Sequence, residues 1–228
     1  MQVTAQELYR ILTEDYKIIG QKGNLNFTLK NFSVKVESKD IAAKLIKNWL
    51  VSWMKNEQIL FTENPNAETF PDIFLNYGDK KTNLLDIRIV DGKRLVGFDI
   101  ENFNSYCDSL LTEAYRLDSD YLIVMYKVEG TQITIENVWL KKIWELSGGS
   151  NVYPVKVKEE KQFIGSIRSI MWYSERSKFK GFNSKEEFLK ALNETRFQYS
   201  QTRHANSDWL NNVVKNYADH TGITLSVE

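Results

Sequence analysis

Residues 121–128 read Tyr-Leu-Ile-Val-Met-Tyr-Lys-Val, a near-continuous apolar run. A strand of that composition is buried on both faces, as at the centre of a sheet covered on each side. The rest of the chain must then supply neighbouring strands and covering helices. Strand-like runs precede it at 71–77, 82–90 and 93–100, and Asp91-Gly92 between the last two is a hairpin signal. A helix from about Asn104 to Leu117 leads into the central run. After it, Gly130 turns the chain into a short strand, 132–136. The spacing then predicts a helix over 138–146 that ends at Gly148-Gly149. Residues 152–173 read as extended.

The flanks carry helix signals. Thr4 and Glu7 form a capping box ahead of Leu8, Ile11 and Leu12. Residues 25–36 alternate in part and read as extended. Ser38 is placed to cap a long helix whose stripe is Ile41, Leu45, Trp49 and Trp53. Ser184 and Glu187 mark a second capping box, for a helix to about Phe197. A last helix starts near Ser207 and stops before Gly222. This order predicts an α/β fold with a mixed central β-sheet flanked by helices. No repeat and no Gly/Ser/Pro-rich linker divides the chain, so residues 1–228 are expected to form a single domain.

Composition excludes several classes. No apolar run is long enough to span a bilayer, and the N-terminal residues lack the pattern of a signal peptide. The single cysteine, Cys107, excludes an internal disulfide framework and a cysteine zinc cluster. A cytoplasmic protein is expected. On its amphipathic helix Cys107 reads as a small core residue. His204 and His220 are too isolated to suggest a histidine site. The 30 basic and 30 acidic residues cancel, so nucleic-acid binding would depend on local patches.

The stretch 70–103 carries the candidate chemistry. Pro71-Asp72 opens one strand-like run, and Asp86-Ile87-Arg88 lies in the next. If the two strand ends are neighbours, Asp72 and Asp86 offer hard oxygen ligands to a divalent ion such as Mg2+. Strand alternation puts Arg88 on the face of Asp86, aimed at the phosphate that such an ion would contact. The same residues also suit a strand-opening Pro-Asp and a same-face ion pair. The outline is that of a PD-(D/E)XK nuclease site, with Asp86 in the Glu position and Arg88 in the Lys position. A second frame is open: Asp99 and Glu101 form an acidic pair, with Lys93 across the turn. Asp40, in the first turn of the long helix, is either a third acidic ligand or a residue that steadies the helix N-terminus.

The segments FPDIFLNYGDKKTNLLDIR, GFDIENFNSYCDSLLTEAYRLDSDYLIVMY and IENVWLKKIWEL resemble type II restriction endonucleases of the NgoBV/NlaIV type. The likeness continues through IRSIMWYSERSKFKGF and KEEFLKAL. It implies a PD-(D/E)XK restriction-endonuclease-like core and Mg2+-dependent cleavage of double-stranded DNA. It puts the metal carboxylates at Asp72 and Asp86 and the catalytic cation at Arg88. It also implies a palindromic site of the GGNNCC kind, and a palindrome calls for a homodimer with one active site per strand. Arginine stays protonated, so Arg88 would act as a fixed cation and not as a proton carrier.

Arg176, Lys178 and Lys180, interleaved with Phe179 and near Trp172, form the densest basic cluster after the candidate site. They suit a DNA-facing loop, or a plain solvated one. Arg196, Arg203 and His204, with Gln198 and Gln201, form a second polar cluster that would reach a groove. Lys141 and Lys142 read as the solvated face of a helix over buried Trp139 and Trp144. Two other readings stay open. One is a DNA-binding relative whose cleavage Asp86 and Arg88 have weakened; the other is an interaction module whose carboxylates are incidental.

Overall fold

The computed structural model describes residues 1–35, 39–66, 69–94, 97–160, 163–199, 201 and 208–227. The chain opens with α1 (Ala5–Arg10), which widens into a π-type turn over Ile11–Asp15. Thr4 caps α1, and the Glu7 carboxylate accepts from Thr4 N at 2.7 Å, so both halves of the capping box form. Strands β1 (Lys22–Asn24), β2 (Asn26–Leu29) and β3 (Phe32–Lys35) follow, then α2 (Lys39–Asn56). Ser38, the expected cap of α2, lies outside the described residues. Next come β4 (Thr62–Glu63), β5 (Ile73–Phe74), β6 (Leu84–Asp91), β7 (Asp99–Asn102) and α3 (Phe103–Ser109). The chain continues through β8 (Asp120–Glu129), β9 (Gln132–Lys142) and α4 (Ile143–Leu146). It ends with β10 (Val157–Glu160), β11 (Phe163–Arg168), α5 (Lys185–Gln198) and α6 (Trp209–Thr221). No helix among the described residues is long and apolar enough to cross a membrane.

The chain forms two compact units. The first comprises Met1–Leu95 and Asp120–Lys141. Its six-stranded sheet has the order β1-β9-β8-β6-β5-β4. β6 pairs parallel with β8 and antiparallel with β5, which makes the sheet mixed. Residues 121–124 of β8 are buried throughout, as a central strand requires. Leu85, Ile87, Leu122 and Val124 join Leu50 and Met54 of α2 in one core.

The buried face of α2 shares only Trp53 with the expected stripe. Ala42, Ile46, Leu50, Trp53 and Met54 turn inward, whereas Ile41, Leu45 and Trp49 are 48%, 46% and 38% exposed. Two apolar stripes at the same helical spacing lie side by side on α2, and packing selected the neighbouring one. Tyr16 packs against Trp49 and Trp53, at centroid distances of 5.7 and 5.4 Å.

Three local expectations are corrected. Asp91-Gly92 does not close a hairpin: Gly92–Arg94 is a short 3-10 turn, and β6 and β7 belong to different sheets. The helix expected over 138–146 is mostly strand. β9 runs to Lys142, and only Ile143–Leu146 is helical, its start fixed by Lys142 N donating to the Glu145 carboxylate at 2.8 Å. Lys141 and Lys142 are therefore not a helix face, and Trp139 and Trp144 are half-buried. The helix expected to reach Leu117 stops at Ser109, whose hydroxyl donates back to Tyr106 O at 2.8 Å. Such side-chain bonds compete with the helical ladder. A 3-10 turn, Ala114–Asp118, follows.

The second unit comprises Val96–Ser119 and Lys142–Glu228. Its three-stranded sheet has the order β10-β11-β7. Phe103, Tyr106, Phe188, Leu192, Trp209 and Val213 are buried within it. Cys107 is buried as expected, and its carbonyl accepts from Trp209 Nε1 at 2.8 Å. Lys185 Nζ reaches Asp118 Oδ1 at 2.5 Å and also bonds the Tyr217 hydroxyl, which donates to Asp118 Oδ2 at 2.6 Å. This network ties the start of α5 to α6. Ser184 accepts from Glu187 N, but the Glu187 carboxylate accepts from Asn183 N, one residue earlier than a strict capping box. Gly222 ends α6 with φ +73°, the left-handed conformation that glycine adopts at least cost.

Candidate active site

Asp72 stands where β5 has not yet begun. The ladder pairs Ile73 with Leu85 and Phe74 with Leu84 and ends there, one residue short of Asp72 on one strand and of Asp86 on the other. The Asp72 side chain extends this ladder: its Oδ2 accepts from Ile87 N at 2.9 Å. A buried backbone donor needs an acceptor, and beyond the end of β5 the carboxylate supplies it. Asn64 fixes the approach, its N donating to Asp72 O at 3.0 Å and its Nδ2 to Pro71 O at 2.9 Å.

Asp86 is 4% exposed and sits within β6, beside Tyr121 of β8. Arg88 lies two residues on, on the same face, with Nε 2.6 Å from Asp86 Oδ2. The side chains are 33% and 6% exposed.

A further charged side chain of the cluster is Lys47. It comes from the middle of α2, and its Nζ lies 2.5 Å from Asp72 Oδ1. Each carboxylate thus has its own cation, which offsets their mutual repulsion. The contact that α2 makes with Asp72 is thus a lysine, whereas the acidic candidate on this helix is Asp40. Asp40 precedes Lys47 by two helical turns, about 10 Å along the axis. The one local signal for Lys47 is its place next to Ile46, at the margin of a buried stripe.

Among the described residues, no three His, Cys, Asp or Glu side chains gather to hold a metal. Asp72 and Asp86 together offer two hard carboxylates. That donor set fits an ion that takes few protein ligands and keeps several waters, as Mg2+ does.

The second frame is occupied differently. The Asp99 carboxylate lies 3.2 Å from Arg168 Nη1 and accepts from Ser166 Oγ at 2.6 Å. Glu101 lies 3.6 Å from Arg116 Nη2.

Arg176, Lys178 and Lys180 are exposed on one loop. Lys178 Nζ donates to Asn151 Oδ1 at 2.7 Å and stands 5.1 Å from the Phe179 ring centroid. Lys180 Nζ donates to Glu175 O at 2.7 Å. An isolated bridge between Gly148 and Gly181 anchors the end of this loop. A Cβ on Gly181 would stand 2.5 Å from Glu145 O, and one on Gly148 would stand 2.4 Å from Lys180 O, so both positions need glycine.

The second polar cluster does not reach a surface groove through Arg196. That residue is 6% exposed, with its guanidinium 4.7 Å from the Trp209 ring centroid, and burial lowers its pKa. Gln198 and Gln201 are exposed, whereas Arg203 and His204 lie outside the described residues. His220 Nε2 is 3.2 Å from Thr112 O, and its ring meets Tyr115 edge-on.

The model of the NgoBV restriction endonuclease family matches residues 2–228. The type II restriction enzyme NlaIV of Neisseria lactamica is 31% identical over 229 residues, covering 100% of this chain and 94% of that protein. The type II restriction enzyme NgoBV of Neisseria gonorrhoeae is 27% identical over 161 residues, covering 71% of this chain and 92% of that protein. The solved structure of NlaIV restriction endonuclease superposes with a TM-score of 0.94 at 31% identity, covering 100% of this chain and 94% of that one. With a mixed sheet flanked by helices and a match along essentially its whole length, this chain belongs to the NgoBV restriction endonuclease family, whose named relatives are type II restriction enzymes.

Proposed function

We propose that this chain is a Mg2+-dependent type II restriction endonuclease that cuts double-stranded DNA at a short palindrome of the GGNNCC kind, acting as a homodimer. We take residues 1–228 as one restriction-endonuclease-like domain. The carrying observation is the Asp72 carboxylate accepting from the amide of Ile87, the residue next to Asp86, at 2.9 Å, with Arg88 at 2.6 Å from the Asp86 carboxylate.

In this reading Asp72 and Asp86 hold the ion. Mg2+, when bound, lowers the pKa of a coordinated water and neutralises charge on the phosphate. Asp72 is oriented by the Ile87 amide and Asp86 by Arg88. Arg88 stays cationic and stabilises negative charge at the phosphate, exchanging no proton. The exposed loop of Arg176, Lys178 and Lys180 contributes backbone contacts to DNA. A weakened, DNA-binding relative is the second reading, and the commitment of Arg88 to Asp86 is what favours it.

The test uses plasmid of known sequence, Mg2+ and end mapping, with Asp72→Asn as the variant. The amide oxygen can still accept from Ile87 N, so the change removes charge and not the ladder bond. Cleavage should fall by about a thousandfold, roughly 4 kcal/mol of barrier, with binding to DNA retained. Undiminished cleavage would refute the assignment. Sequence-specific binding by the parent protein without cutting would favour the second reading.

A further inference from the structure

Lys47 reaches the candidate site from a different element than any other charged member. We propose that Lys47 is a further catalytic residue: it serves as the counter-cation of Asp72 until a divalent ion takes that carboxylate, and then contacts the non-bridging oxygen of the scissile phosphate. This rests on the reading of Asp72 and Asp86 as the metal-binding pair.

Three observations carry it. The first is geometry: Nζ lies 2.5 Å from Asp72 Oδ1, the oxygen that does not accept from Ile87 N. Lys47 therefore occupies the side of Asp72 left open to an ion. The second is freedom of movement. The Lys47 side chain is 35% exposed, against 10% for Asp72. An ammonium on a four-carbon stem can shift by a few ångströms with no change in the helix. Arg88, 33% exposed, likewise pairs with a carboxylate, the one on its own strand.

The third is charge balance. Among the described residues, Asp72 and Asp86 pair with Lys47 and Arg88, and these four charges sum to zero. A divalent ion leaves the cluster with two surplus positive charges. A phosphodiester brings one negative charge, and attack by hydroxide raises it to two. The cluster is therefore neutral again at the transition state, where stabilisation accelerates the reaction. Without Lys47 one negative charge is left uncompensated there. In the step itself, the water oxygen forms a bond to phosphorus and its proton passes to solvent. The bond from phosphorus to the departing sugar oxygen breaks, and that oxygen leaves with the electron pair and takes up a proton. Lys47 neither gives nor takes a proton.

The experiment compares full-length Lys47→Met, Lys47→Arg and Asp72→Asn. Single-turnover cleavage of plasmid in Mg2+ should fall about 100-fold in Lys47→Met. Lys47→Arg, which restores the charge, should recover at least about tenfold of that loss. Ca2+ binding to the protein without DNA, followed by tryptophan fluorescence, should tighten about fivefold in Lys47→Met, because a competing cation is gone. Full cleavage by Lys47→Met, or unchanged or weaker Ca2+ affinity, would overturn the proposal. So would equal losses in Lys47→Met and Lys47→Arg that track thermal stability. If Asp72→Asn is inactive while Lys47→Met cuts normally, the site reading survives and this proposal fails. If Asp72→Asn also cuts normally, the site reading itself fails.

Discussion

Arg88 Nε lies 2.6 Å from Asp86 Oδ2, joining two residues that alternate onto one face of β6. The carboxylate is almost fully removed from water, while the arginine remains a third exposed. A buried carboxylate stripped of its cation is strongly destabilising, whereas losing both partners costs less. Arg88→Met should therefore lower stability by about 2 kcal/mol, less than for a fully buried pair because water screens the arginine side. The double variant Asp86→Asn/Arg88→Met should recover about 1 kcal/mol of the summed losses. Urea unfolding of the four proteins in the cycle measures this. Strict additivity would mean that the pair is not coupled.

Arg176 stands exposed on a loop that the Gly148–Gly181 bridge anchors. If it contacts a phosphate, Arg176→Ala should weaken binding to all DNA sequences alike. It should also reduce the slope of log K against log salt by about 1. Fluorescence anisotropy in Ca2+ at several salt concentrations measures both. An unchanged slope would assign the loop to solvent.

Burial pushes the Cys107 thiol up to about 12, from an ordinary value of 9.0. Tyr106, buried beside it in sequence, is raised as well, again by burial. Both folded-state values lie above the unfolded ones, so between them the folded protein holds protons that the unfolded chain releases. Their contribution to stability is complete below about pH 9 and is lost as pH rises toward 12. The urea midpoint should decline across that window, and Cys107→Ala should flatten the decline. A midpoint independent of pH above 9 would contradict the assignment of these groups.

Much of the local structure was legible in the residues. Thr4 with Glu7, Gly130 and Gly222 each stop or start an element through the chemistry of a few neighbours. The apolar run of β8 announced a central strand because no other position tolerates it. The errors have a common physical source. Val138–Leu146 fits either a helix or a strand by spacing, and pairing within the sheet decided for strand as far as Lys142. Asp91-Gly92 has the chemistry of a hairpin turn, yet β6 found its partners in β5 and β8. On α2 the sequence held two equivalent stripes, and only burial distinguished them.

The candidate site divides in the same way. By itself the sequence determined that Asp86 and Arg88 share a face, because strand alternation is a property of the backbone. It also determined family membership, which spans residues 2–228. Only the tertiary structure decided that Asp72 meets the amide of Ile87, and that Lys47 on α2 meets Asp72. Those contacts join residues 15 and 25 positions apart. No local periodicity encodes them, because they depend on which strand ends beside which and on where a helix packs.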